Sequence, residues 1–144
     1  SFRLHPSSPV SKRRPTCPVA LSPGTDATPD DIVVVDLYRA NRQAEVFGDD
    51  AASFNPYRTK VPPRMPYGLT FGVGIHTCLG KNLAAGDLPT PTTDPAKHQL
   101  GTVTLLAREL LASGATPDVT LKAEQDLSTE RETWLCYPIV FKRP

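Results

Sequence analysis

Ten consecutive residues, 71–80, constrain this chain more than any other part of it, and they read F-G-V-G-I-H-T-C-L-G. The two glycines, Gly72 and Gly74, let the backbone turn sharply and approach a large flat partner without a Cβ in the way. Cys78 precedes residues 81–85, which are able to begin a helix, so backbone N–H groups can donate to its sulfur and favour the thiolate. His76 lies two residues earlier and can reach an anionic group beside the site. The segment therefore predicts a thiolate under a flat ligand with carboxylates at its edge, which describes haem-thiolate ligation.

The same ten residues resemble the cysteine-loop signature of the cytochrome P-450 family, F-x-x-G-x-[HR]-x-C-x-G, at every defined position. A histidine in the [HR] position, with Leu79 after the cysteine, is similar to the soluble bacterial branch of that family. The resemblance implies that Cys78 is the ligand of a haem iron, that His76 hydrogen-bonds a haem propionate, and that Phe71 packs against the sulfur side of the haem. The cofactor-binding residues that it implies are His76, Arg13, Phe71, Gly72, Gly74 and Gly80. The alternative for Cys78 is a buried, inert cysteine in a glycine-rich turn.

Three further segments occur in the order that the family has them. Residues 54–58, F-N-P-Y-R, resemble the F-x-P-x-R of the loop before the cysteine, residues 40–47 resemble the A-N-R-D…V-F approach to it, and residues 3–6 resemble the end of the E-x-x-R helix. By this resemblance Arg3 and Arg58 are two members of a buried ionic triad whose glutamate would precede Ser1. A buried arginine pair without its carboxylate is strongly destabilising. We therefore expect the chain to be a piece of a longer protein that has an upstream part.

The family also places a propionate-binding arginine on the strand after the E-x-x-R helix, where this chain has Arg13 and Arg14. Side chains alternate along a strand, so only one of these neighbours can face the haem. We favour Arg13, and a solvated basic edge is the alternative. A solvent-facing loop histidine is the corresponding alternative for His76, and plain core packing is that for Phe71.

Composition limits the other classes of function. The chain has 144 residues and a formal net charge of +1, a balance that argues for neither nucleic acid nor a membrane surface as a partner. No apolar run approaches the roughly 20 residues of a membrane span. The three cysteines, Cys17, Cys78 and Cys136, are far apart in sequence, which makes a poor disulfide framework and a poor zinc site. A reducing, cytoplasmic setting is therefore expected.

Hydrophobic patterns predict an α+β fold with a helix end, a small β region, a long loop, a central helix and a β tail. The resemblance implies the C-terminal part of the cytochrome P-450 fold: the end of the E-x-x-R helix, a small β region, the meander, the cysteine loop, following helices and a β tail. Strands are expected at residues 7–14, 17–21, 31–37, 119–121, 133–135 and 139–141, and helices at 37–46, 81–85 and 100–113. The last helix has Leu105, Leu106, Leu110 and Leu111 on one side. Residues 87–99 are polar and rich in proline and threonine, so we expect a surface insert there that breaks the preceding helix. Residues 1–144 as a whole are expected to be the C-terminal haem-binding part of one cytochrome P-450 domain.

Other sites fit these residues less well. A zinc deaminase site also needs a glutamate two residues after its histidine and a P-C-x-x-C, and neither motif occurs in this sequence. Gly72 and Gly74 lack the third glycine and the preceding strand of a dinucleotide fingerprint. The basic residues that flank the cysteine loop either form a cationic patch for an acidic electron carrier or are merely solvated. They are Arg58, Lys60, Arg64 and Lys81.

The resemblance implies a monooxygenase with haem b as cofactor, which inserts one oxygen atom of O₂ into a small organic substrate. A ferredoxin- or flavin-type donor would supply the electrons, and the thiolate would favour O–O cleavage. No catalytic residue beyond the haem ligand is expected in this segment, because the family carries the others upstream. Two alternatives are open. One is a truncated, non-catalytic fragment that binds haem or serves as an interaction piece, and the other is a peroxide-driven haem-thiolate peroxygenase.

Overall fold

The chain divides into two compact units in the computed structural model, which describes residues 2–58, 66–129, 131 and 133–141. The first unit comprises Ser1–Thr70 with Ser128–Glu132, and the second comprises Phe71–Leu127 with Thr133–Pro144. The cysteine loop therefore belongs to the second unit, and the two arginines of the predicted triad belong to the first.

Short strands pair two by two in both units. They are β1 (Val10–Arg13), β2 (Val19–Ser22), β3 (Thr25–Ala27), β4 (Val33–Asp36), β5 (Ala115–Pro117), β6 (Glu124–Asp126), β7 (Thr133–Cys136) and β8 (Ile139–Phe141). All four ladders are antiparallel: β1 with β4 and β2 with β3 in the first unit, and β5 with β8 and β6 with β7 in the second. The β-branched run predicted as a strand over residues 31–37 is confirmed as β4, because such residues suit a pleated, half-buried surface.

The helices are α1 (Leu37–Ala40), α2 (Ala44–Phe47), α3 (Lys81–Ala85) and α4 (Thr102–Ala112), with a 3-10 turn at Gly74–His76. The prediction of a single helix over residues 37–46 is wrong, because α1 ends before Asn41 and α2 begins after it. Asp36 caps α1 by accepting a hydrogen bond from Arg39 N at 2.8 Å. Beyond Asn41 the N–H of Arg42 reaches only three residues back, to Arg39 O at 2.9 Å, so the α-helical ladder stops there. None of the helices in the described part of the chain is long and apolar enough to cross a membrane.

The strand predicted at residues 119–121 is also wrong, and a turn lies there between β5 and β6. The carboxylate of Asp118 accepts hydrogen bonds from Thr120 N at 2.9 Å and from its hydroxyl at 2.6 Å. The N–H of Leu121 then donates back to Asp118 O at 3.3 Å. This local bonding competes with strand pairing, and an aspartate favours it strongly.

The buried core lies mainly in the first unit, where Leu4, Phe47 and Ala51 are 2–4% exposed. Among the described residues of the second unit, Ala85 is the one buried apolar side chain. Helix α4 occupies the segment predicted for it and buries none of its residues. Its leucine side, Leu105, Leu106, Leu110 and Leu111, is exposed.

Candidate functional site

The cysteine loop is closed by a backbone hydrogen bond between its two ends. The N–H of Cys78 donates to Phe71 O at 2.7 Å. Inside the loop, the N–H of Thr77 donates to Gly74 O at 3.1 Å and its hydroxyl donates to the same oxygen at 2.9 Å. These bonds make residues 71–78 a tight turn that presents Cys78 at one end.

Gly72 is required by the geometry of this loop. Its φ is +68°, a left-handed conformation that favours glycine. A Cβ built on it would lie 2.6 Å from His76 O, which is closer than real Cβ contacts. Gly74 also has a positive φ, +63°, but faces open space. The sequence expectation that glycine is needed for a sharp turn therefore has its clearest physical basis at Gly72.

Cys78 is a free, exposed thiol. Its carbonyl accepts a hydrogen bond from Lys81 N at 3.2 Å, which joins the loop to the start of α3. A Cβ built on Gly80 would lie 3.8 Å from Cys78 Sγ, an ordinary contact, so Gly80 leaves the sulfur open but is not forced by crowding. The alternative of a buried, inert cysteine does not describe this thiol.

Large apolar side chains near Cys78 in sequence are exposed. Ile75 is 95% exposed and Leu79 is 103% exposed, one on each side of Cys78 in the sequence. Val73 and Leu83 are exposed as well. Four large apolar side chains exposed within residues 73–83 make this segment a candidate binding surface. An exposed sulfur in a segment with several exposed apolar side chains fits a large, flat, mostly apolar group that carries a metal, such as haem.

The other metal chemistries need more ligands than this loop has. Within the described ranges of the chain, no group of three or more His, Cys, Asp or Glu side chains is arranged to hold a metal ion. A haem iron takes four ligands from its porphyrin, so one protein thiolate is a sufficient donor set.

The remaining residues predicted for the haem lie on exposed or half-buried surface. His76 ends the 3-10 turn and is exposed, and Phe71 is half-buried. Arg13 ends β1 in the first unit, is exposed, and donates to Lys12 O at 2.9 Å. The loop residues are therefore brought together within the second unit, whereas Arg13 is described in the first.

Arg3 and Arg58 come together within the first unit, at a cavity of about 260 Å³ that both line. Arg3 is 7% exposed; its guanidinium donates to Ala51 O at 2.6 Å and to Asn41 O, and lies 4.7 Å from the centre of the Phe47 ring. Burial, and then the positive charge of Arg58, lower the pKa of Arg3 below its usual value. The cavity therefore has an excess of positive charge.

Arg58 pairs with Asp50 and is not a surface cation. Its side chain is 7% exposed, and its guanidinium donates to the Asp50 carboxylate and to the carbonyls of Phe47 at 2.6 Å and Ser53 at 2.9 Å. The predicted cationic patch therefore loses Arg58 as a member, because its charge is used inside the first unit. Lys60 and Arg64 lie outside the described residues.

Asn41 is the structural residue that the sequence did not single out. It is 0% exposed, and its side-chain carbonyl accepts from Leu69 N at 2.6 Å while its amide donates to the Thr70 hydroxyl at 3.2 Å. That hydroxyl donates in turn to Phe2 O at 2.8 Å. Asn41 thus fixes the two residues that directly precede the cysteine loop in sequence. An asparagine in the middle of a predicted helix was the available signal, since its side chain can bond backbone groups and compete with the helix.

Comparison with known proteins identifies the family to which this chain is similar. The profile of the family described as Cytochrome P450 matches residues 1–88, more than half of the chain. Alkane hydroxylase MAH1 of Arabidopsis thaliana is 33% identical over 91 residues, covering 58% of this chain and 18% of the hydroxylase. Cytochrome P450 monooxygenase mpaDE of Penicillium roqueforti is 37% identical over 97 residues, covering 58% of this chain and 11% of that protein.

Two solved structures share the fold over 98% of the chain. One is from a study of unusual cytochrome P450-like monooxygenases of microbial secondary metabolism, with a TM-score of 0.67, 21% identity and 33% of its length covered. The other is P450BioI in complex with an acyl carrier protein, with a TM-score of 0.70, 18% identity and 31% of its length covered. The chain thus spans 11–18% of those curated relatives and about a third of these solved structures.

Proposed function

Since the chain belongs to the cytochrome P450 family, we propose that it is the haem-binding part of a monooxygenase in which the sulfur of Cys78 is the iron ligand. The α+β fold predicted from the sequence is confirmed as part of that family's fold by the likeness to solved structures over 98% of the chain. Haem is the cofactor of this family, and monooxygenation is its general activity. The assignment of individual residues is our proposal.

The observation that carries the proposal is the open thiol of Cys78 in a loop that backbone hydrogen bonds close. The bond from Cys78 N to Phe71 O fixes the residue, and the left-handed Gly72 keeps the opposite backbone close. The exposed apolar side chains of Ile75 and Leu79 exclude water once a flat group covers them. When bound, the haem supplies the O₂ chemistry, with the thiolate donating electron density to the iron.

Two basic residues have proposed roles toward the haem carboxylates. His76 is exposed at the end of the 3-10 turn, two residues from the sulfur ligand in sequence, so its imidazole is available to donate to a propionate. Arg13 is proposed for the second propionate because it ends the strand where the family has such a residue. Gly80 leaves the space beside the sulfur free of a side chain, and Gly74 faces open space.

The substrate and electron donor are proposals as well. We propose a small organic substrate and a ferredoxin- or flavin-type donor that approaches the thiolate side near Lys81, the first residue of α3. The three free cysteines are compatible with the proposed cytoplasmic setting. Membership of the bacterial branch stays a prediction.

A haem titration tests the ligand assignment. We expect Cys78→Ser to weaken haem binding at least tenfold, whereas Cys17→Ser, which removes another exposed cysteine, leaves the binding unchanged. Equal binding by the two variants would exclude Cys78 as the ligand. Incorporation of ¹⁸O from ¹⁸O₂ in the presence of a reductant tests the monooxygenase activity. Turnover with peroxide alone would assign the peroxygenase instead, and haem binding without either turnover would assign the non-catalytic fragment.

We also propose that Arg3 and Arg58 are the cationic members of a buried ion cluster that needs one more carboxylate. The support is the excess positive charge at their cavity, where Asp50 is the carboxylate bonded to Arg58. Acetate, compared with chloride at equal ionic strength, is expected to raise the Tm of the chain but not that of Arg3→Met. Arg39→Met removes an exposed arginine and should keep the acetate effect. An acetate effect that survives in Arg3→Met would contradict this role.

A further inference from the structure

Residues 86–101 leave the helix that follows Cys78 and return to the point where they left it. Gly86 and Leu100 form an antiparallel bridge, and the N–H of Asp87 donates to Gln99 O at 3.0 Å. A Cβ built on Gly86 would lie 2.5 Å from Gly101 N and 2.9 Å from Leu100 C. The two ends of this segment, residues 86–101, which we call the excursion, are therefore in direct backbone contact.

The carboxyl end of α3 meets the amino end of α4 at this contact. Thr102, the first residue of α4, donates its hydroxyl to Leu83 O at 2.9 Å. Gly101 is buried, and a Cβ built on it would collide with Ala84 O and Ala85 C. Helix ends leave carbonyls of the last turn and N–H groups of the first turn unpaired. Here the first residue of α4 supplies a hydrogen-bond donor, the Thr102 hydroxyl, to a carbonyl of the last turn of α3, Leu83 O.

Helix α3 depends on such support because it has only five residues. Isolated helices shorter than about 12 residues are marginal in water. α4, with eleven residues, is the longer of the two and follows the junction directly. Because α3 begins three residues after Cys78, residues more than twenty positions further along the chain help to hold the helix beside the thiol.

The interior of the excursion bonds only locally in the described structure. The N–H of Thr90 donates to the Thr93 hydroxyl at 2.8 Å, and Asp94 accepts from Ala96 N at 3.0 Å. Most residues between 87 and 99 are exposed. The family profile ends at residue 88, just inside the excursion, whereas the likeness in fold covers 98% of the chain. The sequence likeness therefore stops where the excursion begins, while the fold likeness continues beyond it.

We propose that α3 and α4 are two segments of one helix that residues 86–101 interrupt. The contacts made by Gly86, Gly101 and Thr102 then hold the two helix ends together where the helical backbone is interrupted. Residues 89–98 can then be replaced by other residues without loss of either helix, whereas a side chain at Gly101 or the loss of the Thr102 hydroxyl destabilises both helices. This inference does not depend on haem binding, because it rests on contacts within the second unit alone.

Four variants of the 144-residue chain test it by circular dichroism at 222 nm and by Tm. Replacing residues 89–98 with glycine and serine at equal length should leave helical signal and Tm unchanged. Gly101→Ala should lower both, since its Cβ has no room. Thr102→Val should lower Tm because Leu83 O loses its donor, and Thr102→Ser, which keeps the hydroxyl, should not.

A deletion gives the second, independent measurement. Removing residues 86–101 joins Ala85 to Thr102 and should raise the helical signal per residue, because one continuous helix of the two segments replaces them. If the glycine-serine replacement lowers Tm as much as Gly101→Ala, the interior is needed and the proposal fails. A loss of helical signal per residue in the deletion variant would overturn the proposal on its own.

Discussion

Replacing Asn41 with alanine is the sharpest test of how the first unit is held together. The side chain is 0% exposed, and it bonds Leu69 N at 2.6 Å and the Thr70 hydroxyl at 3.2 Å. Its loss leaves the N–H of Leu69 and the hydroxyl of Thr70 without this partner in a half-buried segment. Each buried polar group without a partner costs about 1–3 kcal/mol of stability. Water reaches part of this segment, so we expect a combined loss of about 2–4 kcal/mol in the free energy of unfolding. That is a large fraction of the roughly 5–15 kcal/mol that stabilises a typical domain.

Asn55→Ala is the matched control. Asn55 also makes two side-chain hydrogen bonds, from its amide to Asp50 at 2.8 Å and to its carbonyl from Tyr57 N at 2.8 Å, but it is exposed. Water replaces those bonds, so the expected loss is about 1 kcal/mol or less. Urea unfolding followed by circular dichroism gives both free energies, provided the m values agree. If Asn41→Ala costs no more than Asn55→Ala, burial is not what makes the Asn41 hydrogen bonds important.

Two further predictions concern single residues of each unit. A hydrogen bond from Asn55, and then the charge of Arg58, lower the pKa of Asp50 below its usual value. The carboxylate therefore stabilises the fold above about pH 4 and this stabilisation is lost as the pH falls through the lowered pKa, so Asp50→Asn should flatten the acid limb of stability against pH. An unchanged acid limb would contradict this. Gly72→Ala should lower Tm by more than Gly24→Ala, because both glycines have a positive φ but only Gly72 faces a carbonyl 2.6 Å from its missing Cβ. Equal shifts would mean that the φ angle alone matters.

Local patterns predicted the parts of the fold that local interactions decide. β4 follows from a β-branched run, and α4 follows from leucines at helical spacing before the stop at Gly114. The cysteine loop was readable for a similar reason, since Gly72 has to be glycine whatever surrounds the loop. These elements depend on backbone geometry and on neighbours close in sequence.

The predictions were wrong where distant residues or side-chain hydrogen bonds determine the local structure. The C-cap of helix α1 is Asn41, whose side chain bonds a segment 28 residues later, and no local pattern identifies that distant partner. Asp118 turns a strand-like segment because its carboxylate bonds the backbone two residues on. Arg58 was predicted both in a buried triad and in a surface patch, and its burial beside Asp50 removes it from the patch.

The exposed leucines of α4 and the junction at Gly101 could not be derived from the sequence either. Helical spacing tells which side of α4 is apolar but not whether that side is covered, and Leu111 is 75% exposed. Residues 87–99 are predicted to interrupt a helix, yet the pattern does not reveal that the ends of the interruption meet. Both features depend on tertiary contacts.

The absorption spectrum of the reduced, CO-bound protein reports which side chain holds the haem iron. Thiolate ligation gives this form a Soret band that is shifted strongly to the red of that seen with a neutral ligand. We expect the shifted band in the haem-loaded chain and in Cys136→Ser, and its absence in Cys78→Ser. A haem-loaded chain without the shifted band, or a Cys78→Ser variant that retains it, would contradict the account.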